Sequence, residues 1–177
     1  MLRGDTISDG CKTNSLTFRL NLRIIINGKK KLDCCNGEFA RRTATNESKL
    51  YYDKSKATLA AKCHLNHTIT TALLLTPKII PMITIPIIQI MDLSCHVCLS
   101  LADKSLYVVQ DIYQMNYPRT RCEIKSGPIQ KLIDGLSLVE SMVNSIQDLQ
   151  EEYCRVGSEE IKNMIMKKKK ESCVAED

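Results

Sequence analysis

The chain has 177 residues, of which 44% are hydrophobic and 25% are charged. This balance is typical of a globular protein and argues against intrinsic disorder. There is no Trp and there are only two Phe, so any core must be mainly aliphatic. The same shortage disfavours a nucleic-acid reader that stacks bases on aromatic rings.

The net charge of +5 is distributed unevenly along the chain. Residues 1–67 carry 13 Lys and Arg against 6 Asp and Glu, whereas residues 92–177 carry 11 against 14. The simpler interpretation is that the two parts attract each other within one molecule. A nucleic-acid partner for the basic part is disfavoured but left open, with Lys29–Lys31, Arg41 and Arg42 as candidate contacts. Lys167–Lys170 form a further basic cluster near the other end of the chain.

Nine cysteines are an odd number, so at least one thiol cannot be paired within the chain. The first residues lack the apolar run of a secretory signal, which favours a cytoplasmic or nuclear location with reduced thiols. A membrane or secreted location is the alternative. In that case the two glycosylation sequons, at Asn46 and Asn66, could be modified.

Residues 1–67 form a basic region with a predicted β-hairpin. Apolar and polar side chains alternate over residues 16–26, which is the period of a half-buried strand. Asn27 and Gly28 then favour a tight turn, and residues 29–35 would form the return strand at a sheet edge. Residues 36–62 show little periodicity, so we expect a loop with a short helix near 54–62.

The apolar segment within residues 68–92 contains three prolines and Lys78. Residues 69–91 are long enough to span a bilayer. In a spanning helix, however, each interior proline costs roughly 3 kcal/mol and a central lysine roughly 2.5–3.5 kcal/mol. We therefore predict buried extended segments here, with a membrane anchor or internal signal as the alternative.

Residues 93–177 are predicted to be an amphipathic helical region. Apolar residues in 95–116 recur at helical spacing and predict a first helix. A second helix begins at Pro128 and carries a heptad seam, and Gly157 is expected to end it before a short third helix. The seam residues, which we expect to form an interface, are Ile129, Leu132, Leu136, Val139, Val143 and Ile146.

The motif Cys95-His96-Val97-Cys98 follows an apolar extended run and is predicted to open a helix. In this context it resembles the CxxC redox site of thioredoxin-like proteins, where the helix N-terminus lowers the pKa of the first thiol. The resemblance implies that Cys95 attacks and Cys98 resolves. Zinc is the other candidate, with Cys63 and His67 completing a tetrahedral shell. The commoner role of such cysteines is packing.

The sequence therefore predicts an α+β fold, with an N-terminal β-hairpin region followed by a C-terminal helical hairpin or bundle. The favoured function is a non-catalytic protein-interaction or assembly module that binds a protein partner or a second copy through residues 129–153. The alternatives are a thiol-redox or zinc-binding protein centred on Cys95 and Cys98, and a membrane-anchored or secreted helical protein that uses residues 69–91. No spacing of Ser, His and acidic residues typical of an enzyme is found.

Overall fold

The computed structural model describes residues 1–3, 6–27, 31–40, 46–71, 80–91, 94–103 and 106–174. The strands within these residues are β1 (Leu2–Arg3), β2 (Leu22–Asn27), β3 (Lys31–Ala40), β4 (Thr84–Met91), β5 (Ser94–Asp103) and β6 (Leu106–Asn116). The helices are α1 (Asp9–Thr13), α2 (Glu47–Thr71), α3 (Arg121–Lys125) and α4 (Pro128–Val174), with a 3₁₀ turn at Ile80–Met82. The predicted α+β class, with N-terminal strands and C-terminal helices, is confirmed.

The described strands form one six-stranded sheet in which spatial order follows chain order. All neighbouring strands are antiparallel except β3 and β4, which are parallel. A parallel pair needs a crossover connection, and α2 lies in that connection. Strands from both sides of the domain limits predicted near residues 67 and 92 therefore pair in the same sheet. The limits themselves stay a prediction.

The predicted hairpin is confirmed as β2 and β3, which pair from Asn27 and Lys31 outward. Two details of the prediction are wrong: β2 begins at Leu22 and not at residue 16, and β3 lies between β2 and β4 and not at a sheet edge. The turn residues 28–30 lie outside the described part of the chain. The prediction of a mostly loop segment over 36–62 is wrong, because β3 continues to Ala40 and α2 has 25 residues. The buried face of α2 combines alanines with polar residues such as Asp53 and His64, so it has no strong apolar period to detect.

The predicted helix over 95–116 is wrong, since this segment forms the antiparallel strands β5 and β6. The cause is a β-bulge: Val97 pairs with Tyr113 and Cys98 with Asp111, which leaves Ile112 as an extra residue in β6. An extra residue shifts the alternation of faces by one position. The apolar residues on either side of it then fall at spacings that imitate a helix.

The apolar segment 69–91 is divided between several elements. Its first residues end α2, residues 72–79 lie outside the described part, and Thr84–Met91 form β4 in the middle of the sheet. The prediction of a buried extended segment is thus confirmed for β4. Among the described residues, no helix has both the length and the apolar character needed to cross a membrane.

The sheet is covered by α2 on one face and by α4 on the other. Ile87 of β4 clusters with Ala57, Ala61 and Leu65 of α2, whereas the next residue, Ile88, clusters with Val139 of α4. Successive strand residues point to opposite faces, so the two helices lie on opposite sides. The helix start at Pro128 is confirmed, but the helix end at Gly157 is wrong, because α4 runs on to Val174.

Candidate functional site

Part of the predicted interface seam on α4 is used inside the molecule. Val139 and Ile146 are each 3% exposed and belong to the two large core clusters. Leu132 and Val143 are half-buried and pack against the same clusters. The sheet is therefore the surface that covers these four residues.

The other part of the seam is exposed to solvent. Ile129 is 38% exposed and Leu136 is 47% exposed, and Ile133, which the seam did not include, is 50% exposed. The three are spaced so that they lie along one side of the helix, and we refer to them as the α4 stripe. Ile124 on the preceding short helix is 44% exposed as well. The described structure leaves this apolar surface facing water.

The α4 stripe is held in place by close contact between α4 and β6. The hydroxyl of Tyr113 donates a hydrogen bond to the carbonyl oxygen of Lys131 at 3.0 Å. One turn further, a Cβ on Gly135 would lie 2.7 Å from Met115 Sδ and 2.9 Å from Tyr113 Cδ1. The absence of a side chain at Gly135 therefore lets the helix approach Tyr113 and Met115 of β6 this closely.

Charged residues lie at the two ends of the α4 stripe. Arg121 and Lys125, both exposed, flank Ile124 at the N-terminal end. Beyond Leu136, the same side of the helix continues with the exposed carboxylates of Glu140 and Glu151. The surface therefore has a basic end and an acidic end.

Buried ion pairs lie beneath α2 and beside α1. Arg23 donates to both carboxylate oxygens of Asp33, at 2.7 and 2.9 Å. Lys56 Nζ lies 2.8 Å from Glu38 Oε1 in the adjoining part of the interface. Despite these cations, burial raises the pKa of both Asp33 and Glu38 above the ordinary carboxyl range.

His64 on α2 is almost fully buried, and neither of its ring nitrogens has a hydrogen-bond partner. Burial lowers its pKa to about 3, and the positive charges of Arg23 and His67 act in the same direction. The imidazole is therefore neutral at physiological pH.

An open cleft of about 430 Å³ lies beside the Arg23–Asp33 pair. Its cationic lining comes from Lys12, Arg19, Arg23 and Lys31. Of the basic clusters noted in the sequence, Lys31 is exposed at the start of β3. Residues 29, 30, 41 and 42 lie outside the described part, so nucleic-acid contact through this basic region stays a prediction.

The predicted metal or redox residues lie on two elements, β5 and α2. Cys95 and Cys98 lie in β5, paired with Ile90 and Ile87 of β4, so the prediction that this motif opens a helix is wrong. Cys63 and His67 lie on α2, where Cys63 is buried and His67 is half-buried.

Within the residues that the structure describes, no group of three or more His, Cys, Asp or Glu could hold a metal ion. The side chains of Cys95 and Cys98 are outside that description. A zinc site that includes them stays a prediction, which metal analysis of the purified protein would test.

Cys63 instead meets Cys11, a residue that sequence reasoning did not single out. Both side chains belong to a small buried cluster with Leu20 and Ala60, and each thiol is among the groups that shift the pKa of the other. The residues are far apart in the chain and no motif links them. The local sequence signal near Cys11 was Ser8, a typical N-cap residue that marks the start of a helix. It caps α1 by accepting a hydrogen bond from the backbone nitrogen of Cys11 at 3.0 Å.

Comparisons of this chain with protein-family models, with curated proteins and with solved structures found no match.

Proposed function

We propose that this protein is a non-catalytic assembly module that associates with a second copy of itself through the α4 stripe. The observation that carries the proposal is the solvent exposure of Ile129, Ile133 and Leu136 on a helix whose neighbouring side is fixed to the sheet. Water penalises apolar surface by roughly 25 cal/mol per Å², so a partner that covers the stripe is favoured.

Charge complementarity supports a second copy as that partner. If two α4 helices pair in antiparallel orientation about a two-fold axis, the acidic end of one stripe, with Glu140, meets the basic end of the other, with Lys125. A parallel arrangement would place like charges together. A two-fold interface uses the same surface on both subunits and closes on itself, so it does not propagate into filaments.

The test is the molar mass of the full chain, measured by size-exclusion chromatography with light scattering up to about 0.5 mM, where even a weak dimer is populated. We expect a dimer for the wild-type chain. Ile133→Glu should weaken association by at least tenfold, because it places a carboxylate in the apolar contact. Ser141→Glu is the matched control: it adds the same charge at an exposed position outside the stripe, and it should leave association unchanged.

A charge swap tests the identity of the partner. Glu140→Lys should weaken the dimer, and addition of Lys125→Glu in the same chain should restore it, since the two ends of the stripe exchange signs. A wild-type chain that stays monomeric at the highest concentration would refute the proposal. Equal effects of Ile133→Glu and Ser141→Glu would refute the choice of surface.

A thiol or zinc protein is the second candidate, and the structure removes one argument for its redox form. A redox role drew on a helix N-terminus beside Cys95, and that residue lies in a strand. The Cys11–Cys63 pair is separate from the Cys95–Cys98 motif, and we assign it no catalytic role.

A further inference from the structure

Cys11 on α1 and Cys63 on α2 belong to the same small buried cluster, and each thiol is among the groups that shift the pKa of the other. The two backbones also approach closely, since a Cβ on Gly10 would lie 3.1 Å from the carbonyl oxygen of Cys63. A disulfide needs Cα atoms within about 7 Å and side chains that face each other. The shared cluster and the close approach of the two backbones place these cysteines, among the described ones, in a position to meet that need.

We propose that Cys11 and Cys63 form a site of oxidative modification, at which a disulfide joins α1 to α2 when the chain meets a low-molecular-weight disulfide such as oxidised glutathione. This inference is independent of the proposed self-association. It assigns a role to two buried thiols that the interaction surface does not use.

The reaction is two successive thiol–disulfide exchanges. Cys63, the more exposed of the two residues, attacks one sulfur of the small disulfide, so that a mixed disulfide forms and one small thiol leaves. Cys11 then attacks the sulfur of Cys63, which forms the Cys11–Cys63 bond and releases the second small thiol. Two electrons pass to the small disulfide, and the two cysteine protons end on the two released thiols.

The rate of this reaction is set by the opening of α1. Burial raises the pKa of the Cys11 thiol, and it raises that of Cys63 to about 11, so few thiolates exist while the fold is closed. However, α1 has only five residues, and a helix this short can lift from α2 at modest cost. Once formed, the bond is buried again and shielded from reductants.

The other described free cysteines lack such a partner. Cys34 and Cys35 are adjacent in β3, and the Cys34 thiol donates to the carbonyl oxygen of Ile24 at 3.1 Å. Adjacent residues in a strand point to opposite faces, so these two thiols do not meet. Cys122 is exposed on α3. Among these five described cysteines, an internal disulfide is therefore expected between Cys11 and Cys63.

The experiment is non-reducing peptide mapping of the full wild-type chain after incubation with oxidised glutathione. We expect the peptide that contains Cys11 to be linked to the peptide that contains Cys63, ahead of any other internal bond. The oxidised chain should melt roughly 5–15 °C above the reduced chain, because the bond constrains the unfolded chain. Cys11→Ser should abolish this shift, and the matched control Cys122→Ser should retain it.

Mapping of the wild-type chain does not depend on whether the Cys11 variant folds, and Cys63→Ala gives a second route to the same loss. The proposal is overturned if oxidation, including refolding in oxidised glutathione, links other cysteines and never these two. It is equally overturned if the melting shift persists in both variants.

Discussion

His64 is a single buried residue whose lowered pKa links the stability of this fold to pH. Its ring has no hydrogen-bond partner, and burial lowers its pKa to about 3 from an ordinary value near 6.5. A group with a lowered pKa contributes stability above its unfolded pKa, and this contribution is lost as the pH falls towards the folded value. The stability that His64 contributes is therefore lost between about pH 6.5 and pH 3.

Asp33 and Glu38 act in the opposite direction. Burial raises the pKa of each, so the stability that each contributes is fully present below its unfolded pKa and is lost as the pH rises through the folded value. Acidification therefore strengthens these two sites while it weakens the site of His64. A comparison between the wild-type chain and a His64 variant separates the two effects, because both chains keep the carboxylates.

We predict that His64→Leu removes most of the acid sensitivity assigned to this helix. At about 1.4 kcal/mol per pH unit, the free energy of unfolding of the wild-type chain should fall by roughly 2–3 kcal/mol more than that of the variant between pH 6.5 and pH 4.5. Urea unfolding at the two pH values measures this difference. Thr68→Val, a buried and non-titrating change one turn away, should shift stability equally at both. An unchanged pH response in His64→Leu would contradict the assignment.

At the scale of elements, the sequence predicted the strands and helices whose buried residues recur at one regular spacing. The hairpin β2–β3 and the start of α4 were found because alternation, Asn27 and Pro128 are local signals. The extent of α2 was missed because its buried face mixes alanines with polar residues such as Asp53, His64 and Thr68, so apolar residues do not recur at helical spacing.

The β5–β6 segment was misassigned for a different reason. A bulge at Ile112 changes which residues face α2 and which face α4: Tyr107 and Asp111 contact α2, whereas Tyr113 and Met115 contact α4. The density of β-branched and aromatic residues in β6 was the available signal for a strand. The candidate surface could not be predicted for the same kind of reason, since which seam residues of α4 stay exposed, here Ile129 and Leu136, depends on where the sheet lies.

We predict that Gly135→Ala destabilises the fold, although alanine is the better helix former by about 1 kcal/mol. The new methyl group would lie within 3.0 Å of atoms of Met115 and Tyr113, and overpacking of this kind typically costs about 1–3 kcal/mol. Chemical denaturation should show a lower free energy of unfolding. Ser141→Ala, at an exposed position of the same helix, should be neutral or slightly stabilising. A gain in stability for Gly135→Ala would mean that α4 does not contact β6 this closely.

At the scale of the whole molecule, α4 is longer than either the length or the width of the sheet. With 47 residues it is roughly 70 Å long, while the longest strand, with 11 residues, spans roughly 36 Å and six strands span roughly 29 Å. The helix therefore cannot lie entirely on the sheet. One side of its N-terminal part packs on the sheet, and another side presents the α4 stripe, as the proposed assembly module requires.

The two halves of the chain are expected to depend on each other for folding. The β4–β5 ladder joins them through eight residue pairs, from Thr84 with Leu101 to Met91 with Ser94. In addition, Val139 of α4 completes a cluster with Cys35 of β3 and Ile88 of β4. If the chain is cut between residues 92 and 93, each half loses one side of this ladder and part of its core.

We therefore predict that fragments 1–92 and 93–177 do not fold separately and that they recover structure when mixed. Each fragment alone should lack a cooperative urea transition, because an exposed sheet edge and an uncovered apolar face leave too little buried surface to offset chain entropy. An equimolar mixture should regain a transition when followed by circular dichroism. A mixture of 1–92 with a 93–177 fragment carrying Val139→Asp is the control, and it should regain much less. A sharp transition in either fragment alone would show that the chain contains an independent domain.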